Sequence, residues 1–244
     1  MRLLPTPGLS TKLNKFLCKS PLLFPRIYGI IYYYRISMGN YSPIERKPRD
    51  MKLILASASP RRREILTTLG VDFTVITADA DETCDLTDPG ARVEAISVKK
   101  CHAVRDALAV EGRLDADTVI LASDTLVTLD GQFLGKPRDE DDVRRMIRML
   151  QNRTHTVASG LAIYKDGRTV TAHELTGVTF APMDEGEIEA YLATGESFGK
   201  AGAYAVQGFA ARFITGIEGD YFNVVGLPVR RLYETMREGF GIIF

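Results

Sequence analysis

Residues 53 to 70, Leu-Ile-Leu-Ala-Ser-Ala-Ser-Pro-Arg-Arg-Arg-Glu-Ile-Leu-Thr-Thr-Leu-Gly, admit few folds. The apolar run from Lys52 to Ala56 reads as a buried strand, the small residues after it as a tight turn, and the remainder as a helix. Ser59 suits the N-cap, Pro60 the first helical position and Gly70 the stop. Ile65, Leu66 and Leu69 share one helical face, as packing onto a sheet requires. Such a unit aims free backbone N–H groups and the positive end of a helix dipole at one point. Arg61, Arg62 and Arg63 crowd that same point, where cations oppose the dipole by about 0.3–1 kcal/mol each unless an anion is present. A solvated basic turn is the plain alternative. Three arginines behind Ser-Pro favour an anion site, with a phosphate chain as the natural ligand.

Two common phosphate-binding fingerprints are absent. Gly135-Lys136-Pro137 lacks the Ser or Thr of a P-loop and the glycine five positions earlier, and no G-x-G-x-x-G follows a strand.

Charge is balanced over the 244 residues, with 31 basic and 31 acidic side chains, but it is unevenly spread. Residues 1–50 hold 9 Lys/Arg and 2 acids, which leaves 22 basic and 29 acidic residues in the remainder. An acidic globular part is a poor generic binder of nucleic acid. The first fifty residues contain an apolar run, Pro21 to Tyr34, broken by Pro25 and Arg26, too short to span a bilayer. Three readings fit them: a presequence, a tail outside the fold, or an over-long start ahead of Met38 or Met51. The tail outside the fold is the expectation. Cys18, Cys84 and Cys101 show no paired or metal-ligand spacing, which points to a reducing compartment and, with no membrane segment expected, to the cytoplasm.

From Met51 onward strands and helices alternate, so the class is α/β: a long, twisted, mixed sheet flanked by helices, in two lobes with a cleft. Strands are expected over 72–77, 118–122, 155–164, 169–181 and 211–215, and helices over 89–110, 138–151, 184–193 and 228–238. Asp130-Gly131 and Asp166-Gly167 read as hairpin turns. The Gly-rich stretch from Gly195 to Gly208 reads as a surface loop that approaches a ligand.

Ligands of such sheets gather at the carboxyl ends of strands, and two apolar runs end in polar groups there: Ser57, and Asp124 with Thr125. An acid so placed costs desolvation energy unless it has a partner or a task. It reads as a turn residue, a base or a metal ligand. Asp79, Asp81 and Glu82 form the other acid cluster, either a solvated loop or a site for Mg²⁺ beside phosphates. Lys100, Lys136 and Lys200 are candidates to converge on phosphate charge. His102, His155 and His173 have neither ligand spacing nor triad partners and read as structural.

Six segments taken together resemble the Maf-like nucleotide pyrophosphatases: Leu55 to Arg62, Asp81-Glu82-Thr83, Ser123-Asp124-Thr125, Leu134 to Arg138, Gly199 to Gly208 and Val224 to Pro228. The resemblance spans nearly all of Met51 to Gly239. It implies hydrolysis of a nucleoside triphosphate between the α- and β-phosphates with a divalent metal, Mg²⁺ or Mn²⁺. It implies Asp124 as proton acceptor for the attacking water, whether by taking the proton or by holding metal, and Glu82 as a metal ligand. Ser57, Arg62, Lys100, Lys136 and Gln207 match positions lining the family's active site. Arg61, Thr125 and Gln207 resemble the branch acting on dTTP and UTP rather than on 7-methyl-GTP. A Gln amide both donates and accepts, as a pyrimidine edge demands. A homodimer is a further family expectation. Two rivals follow from the same likeness: a pyrophosphatase for modified nucleotides, and a septum-inhibiting protein that binds a division partner without catalysis.

Overall fold

A computed structural model describes residues 51–244; the readings made for residues 1–50, Cys18 included, lie outside them. Seven strands form one mixed sheet. The opening unit is β1 (Lys52–Leu55), α1 (Pro60–Thr68) and β2 (Thr74–Val75), followed by the long helix α2 (Pro89–Val110). Then come β3 (Thr118–Leu129), β4 (Gln132–Leu134), α3 (Glu140–Leu150), β5 (Thr154–Lys165), β6 (Arg168–Phe180) and α4 (Glu185–Leu192). The chain ends with β7 (Ile214–Glu218), α5 (Tyr221–Val225) and α6 (Val229–Phe240). The strand order is β2-β1-β3-β5-β6-β7, with β4 beside β3. β1 runs parallel to β2 and β3, and the other pairs are antiparallel.

Side chains alternate across the pleat, so each strand feeds two cores. On one face Leu53, Leu55, Val119 and Leu121 pack with Ile65 and Leu66 of α1, Val143 and Ile147 of α3, and Leu232 of α6. On the other, Ile54, Ile120 and Ala122 meet Cys101, Val104 and Leu108 of α2. β1 is therefore buried on both sides, which is why it reads as an unbroken apolar run. α2 lies very close to the sheet at Gly160 of β5, where any side chain would run into the Val93 backbone.

Several expectations need correction. β3 does not stop at Ala122 but continues to Leu129, because β5 pairs with it from Ile120 to Thr128 and satisfies its backbone through the polar residues. Leu69 is 40% exposed rather than packed beneath α1. Ser59 occupies the N-cap position of α1 but its side chain makes no capping hydrogen bond. The strand expected over 72–77 shrinks to Thr74–Val75. The stretch 195–208 does approach the cavity, through Gly199, Lys200, Ala201 and Tyr204, but part of it is interior and not surface: Ser197, Gly202, Ala203, Tyr204, Ala205 and Val206 are buried. Its small residues, read as a sign of exposure, instead permit close approach; Gly202, at φ 68°, leaves no room for a side chain against Val127. Phe209–Phe213 is a 3₁₀ turn, so the last strand starts at Ile214, and the short helix α5 follows it. Among the described residues no helix is long and apolar enough to cross a membrane.

Candidate active site

The position of the site follows from a gap in the sheet. One edge of β3 is taken by β5, so β1 and β4 must share the other. β1 covers it from Thr118 to Leu121 and β4 from Val127 to Leu129, which leaves residues 122 to 126 without a strand on that side. Asp124 stands in the middle of this opening. A cavity of about 690 Å³ passes through it, within the size range of small-molecule sites. Because the opening breaches the sheet, groups from both faces line one space. Asp124 comes from the α2 side, and Thr125 with Arg62 from the side of α1.

Six cations line the cavity, Arg61, Arg62, Arg92, Lys100, Lys136 and Lys200, against two carboxylates, Glu82 and Asp124. The formal balance of +4 calls for a polyanion. Lys100, carried by α2, lies 2.7 Å from Asp124 Oδ1 and 3.1 Å from Glu82 Oε1. Gly160, the register partner of Asp124, is where α2 touches the sheet, so the absence of a side chain there sets Lys100 against Asp124.

Arg62 is held differently. Its Nε donates to the Gly226 carbonyl at 2.8 Å, one terminal nitrogen to Ser57 Oγ at 2.9 Å and the other to Thr125 Oγ1 at 3.0 Å. All three acceptors are neutral, so the guanidinium keeps its full charge for the cavity. Burial pushes its pKa down to about 10, an effect that the nearby Asp124 carboxylate opposes. Burial likewise lowers Arg61 and Lys200, with the charge of Arg61 adding to the effect on Lys200. Lys200 donates to the carbonyls of Glu196 and Phe198. Lys136 lines the cavity, exposed and with no hydrogen bond or ion pair among the described residues.

The residues expected from sequence divide unevenly. Ser57, Arg61, Arg62, Glu82, Lys100, Asp124, Thr125 and Lys136 all line the one cavity. Gln207 does not: it is exposed on its loop and outside the lining. The acid cluster also splits. Asp81 accepts from the Thr83 amide and hydroxyl and from Lys99, contacts that bring its carboxyl down to about 2, and it shapes the loop. Asp79 is exposed and outside the lining, which leaves Glu82 as the one member that reaches the cavity. The histidines are structural as read: His102 meets Thr169, His173 meets Glu94, and buried His155 meets Tyr204. Arg92 was missed. It lies over the Phe133 ring at 4.6 Å and donates to the carbonyls of Cys84 and Leu86. The signal was available, since Arg92 is a cation in the first turn of a helix, the same anomaly that marked Arg61 to Arg63.

Whether a divalent ion suits the site can be asked of its donors. Glu82 and Asp124 both reach one ammonium, so two carboxylates already converge on a single cation in the cavity that the turn between β1 and α1 lines. Among the described residues no group of three or more ligating side chains could hold an ion alone. That donor set fits Mg²⁺ or Mn²⁺ arriving with phosphate, since such ions need only one or two carboxylates when phosphate oxygens and water supply the rest.

Comparison with known proteins gives the family. A relative from Pelotomaculum thermopropionicum, named dTTP/UTP pyrophosphatase, is 46% identical over 195 residues, covering 79% of this chain and 99% of its own length. One of the same name from Moorella thermoacetica is 46% identical over 76% of this chain and 93% of its own. A third, from Thermoanaerobacter sp., is 41% identical over 79% and 98%. The solved structure of the Staphylococcus aureus Ham1 protein is similar at a TM-score of 0.38 and 15% identity, over 53% of this chain and 72% of that one, too slight a likeness to argue from. The family model described as Maf-like protein matches residues 52–239, from the first strand through the last helix and across every wall of the cavity. This chain belongs to the Maf family.

Proposed function

We propose that the protein is a nucleoside triphosphate pyrophosphatase acting on dTTP and UTP in the cytoplasm, yielding the monophosphate and pyrophosphate. The observation that carries this reading is the convergence of six cations and the Asp124 carboxylate on one cavity at the gap in the sheet. The names of the relatives support the substrate class. The relatives' lengths also support residues 51–244 as the catalytic unit, since the match leaves almost none of them uncovered. The free thiols Cys84 and Cys101 suit a reducing compartment.

The chain's own groups account for the chemistry as follows. The triphosphate lies against the amino end of α1, where Arg61 and Arg62 face it and dipole and guanidinium charge act together. Asp124 orients the attacking water and accepts its proton as the anhydride between the α- and β-phosphates opens. Lys100 holds that carboxylate in place, being ion-paired to it. The leaving pyrophosphate gathers negative charge, and Lys136, with no ion pair of its own among the described residues, is placed to meet it. Arg62 cannot swing away, because three hydrogen bonds fix it, so its charge is in position before the reaction starts. Glu82 and Asp124 would hold the divalent ion, which when bound draws charge from the phosphate oxygens as a Lewis acid.

The test is a panel of canonical and modified nucleoside triphosphates with Mg²⁺ or Mn²⁺, read by pyrophosphate release. Release from dTTP and UTP is expected, and Asp124→Asn should lower it by about 10³-fold, within the range for loss of a positioned base. A substituted enzyme that turns over as well as the native one removes Asp124 from the mechanism.

A further inference from the structure

Gln207 lies outside the cavity lining. A chain of hydroxyls beneath the cavity bears on the choice of base from within. Ser159 of β5 is fully buried, opposite Thr125 in register. Its Oγ lies 2.9 Å from the carbonyl oxygen of Asn223, which can only accept, so the single Ser159 proton is committed to that bond. Thr125 Oγ1 is 2.8 Å from Ser159 Oγ, and with the serine proton spent, the threonine must be the donor there. Its one alternative, the Gly226 carbonyl, is 3.5 Å away and already accepts from Arg62 at 2.8 Å. Arg62 donates to Thr125 at 3.0 Å and uses one of its two lone pairs. What Thr125 can offer the cavity is therefore a lone pair and never a proton.

Ser57 is arranged in the opposite sense. Its Oγ accepts from Arg62 at 2.9 Å and from the Ser59 amide at 3.3 Å, which leaves its proton free to donate. The two hydroxyls on the Arg62 guanidinium thus meet the cavity in opposite senses: Ser57 offers a proton, as phosphate oxygens need, and Thr125 an acceptor, which a phosphate oxygen avoids. Val127 and Val157 add apolar wall to the same cavity, as a base would require.

We propose that Ser159 is a positioning residue for substrate choice: by taking the Thr125 proton it makes Thr125 an obligate acceptor, which favours a base with a ring N–H over one with a lone pair there. Uracil and thymine carry that N–H at N3, whereas cytosine carries a lone pair at N3 in the same ring position. A site built to pair one polar group rejects the analogue lacking it, because a buried acceptor is left facing another acceptor. This inference rests on the substrate site proposed above, and it adds a residue that never touches substrate.

The test compares UTP with CTP, which share sugar and triphosphate. Their Kd values are measured by calorimetry on the full chain with a chelator present, so that binding is read without turnover. The native protein should favour UTP by about tenfold or more. Ser159→Ala frees the Thr125 proton to turn toward the cavity, and the preference should fall by about tenfold, with CTP gaining. Thr125→Ser keeps the hydroxyl chain and should keep the preference. Equal affinities in the native protein overturn the inference, as does a Ser159→Ala protein that weakens both nucleotides by one factor. If melting shows Ser159→Ala unfolded, Thr125→Val replaces it: a lost preference supports the inference and a retained one overturns it. A chain that prefers UTP through Ser159 but releases no pyrophosphate would uphold this inference while sinking the hydrolase reading.

Discussion

Along the outer faces of α3 and α4, Arg144 lies against Glu189 and Asp141, and Arg148 against Glu185, at distances of 2.6 to 3.0 Å. At the inner end of the cavity Arg62 also has three partners at similar distances, yet none is charged. The outer arginines are neutralised where they sit, Arg148 exposed to water and Arg144 partly so, and they add little beyond tying two helices together. Arg62 has lost its water without gaining a counter-ion, and burial lowers its pKa in consequence. A cation kept in that condition is held ready for an anion from outside the protein. The same residue type thus serves adhesion in one place and binding in the other, and the difference lies in the partners.

Substitutions can break that contrast, taken here from the greatest effect downward. Arg62→Met should cut kcat/KM for UTP by about a hundredfold or more, the scale of losing a pre-positioned charge. Its melting temperature should change little, because removing an unpaired buried charge offsets the three hydrogen bonds lost with it. A large fall in stability with activity retained would mean that Arg62 is structural after all. Next, Gly160→Ala drives a methyl into the Val93 backbone and should destabilise by about 1–3 kcal/mol in denaturant titration. The displaced α2 carries Lys100 away from Asp124, so kcat should drop together with stability.

A pH effect of smaller size should come from the buried wall behind the cavity. His155 packs edge-on to Phe180 and Tyr204, and burial lowers its pKa to about 4. The unfolded chain binds a proton near 6.5, before the folded one does. Stability from this group is therefore complete above 6.5, declines as pH falls through the window down to about 4, and declines no further below it. Urea titrations across that window should show the slope, and His155→Gln should flatten it. Least of all, Arg148→Met should leave pyrophosphate release unchanged and the melting temperature within error. A strong loss there would erase the distinction between the two arginine settings.

How far the chain could be read in advance depended on the range of the forces involved. The strand-turn-helix at 53–70, the 22-residue helix α2 and both Asp-Gly hairpins are local, written in periodicity and turn chemistry, and all appear. Asp124 was legible as an acid out of place in an apolar run, though it stands in the middle of a strand and not at its end. The segment around 195–208 was misjudged because small side chains have two uses, exposure or close packing, and spacing cannot tell them apart. Gln207 and Arg92 failed in opposite ways. One bore a motif yet faces outward, and the other bore none yet reaches the cavity.

Residue order alone marked most of the charged groups that line the cavity, and where the main helices and turns begin. Long-range pairing settled the rest. The sheet edge left open between β1 and β4, the glycine that lets α2 descend on β5, and the bonds that tie Arg62 to Gly226 and Thr125 join residues as many as 164 positions apart. Hydrogen bonding is a matter of a few tenths of an ångström, and distances that short between distant parts of a chain exist only once the whole sheet has formed.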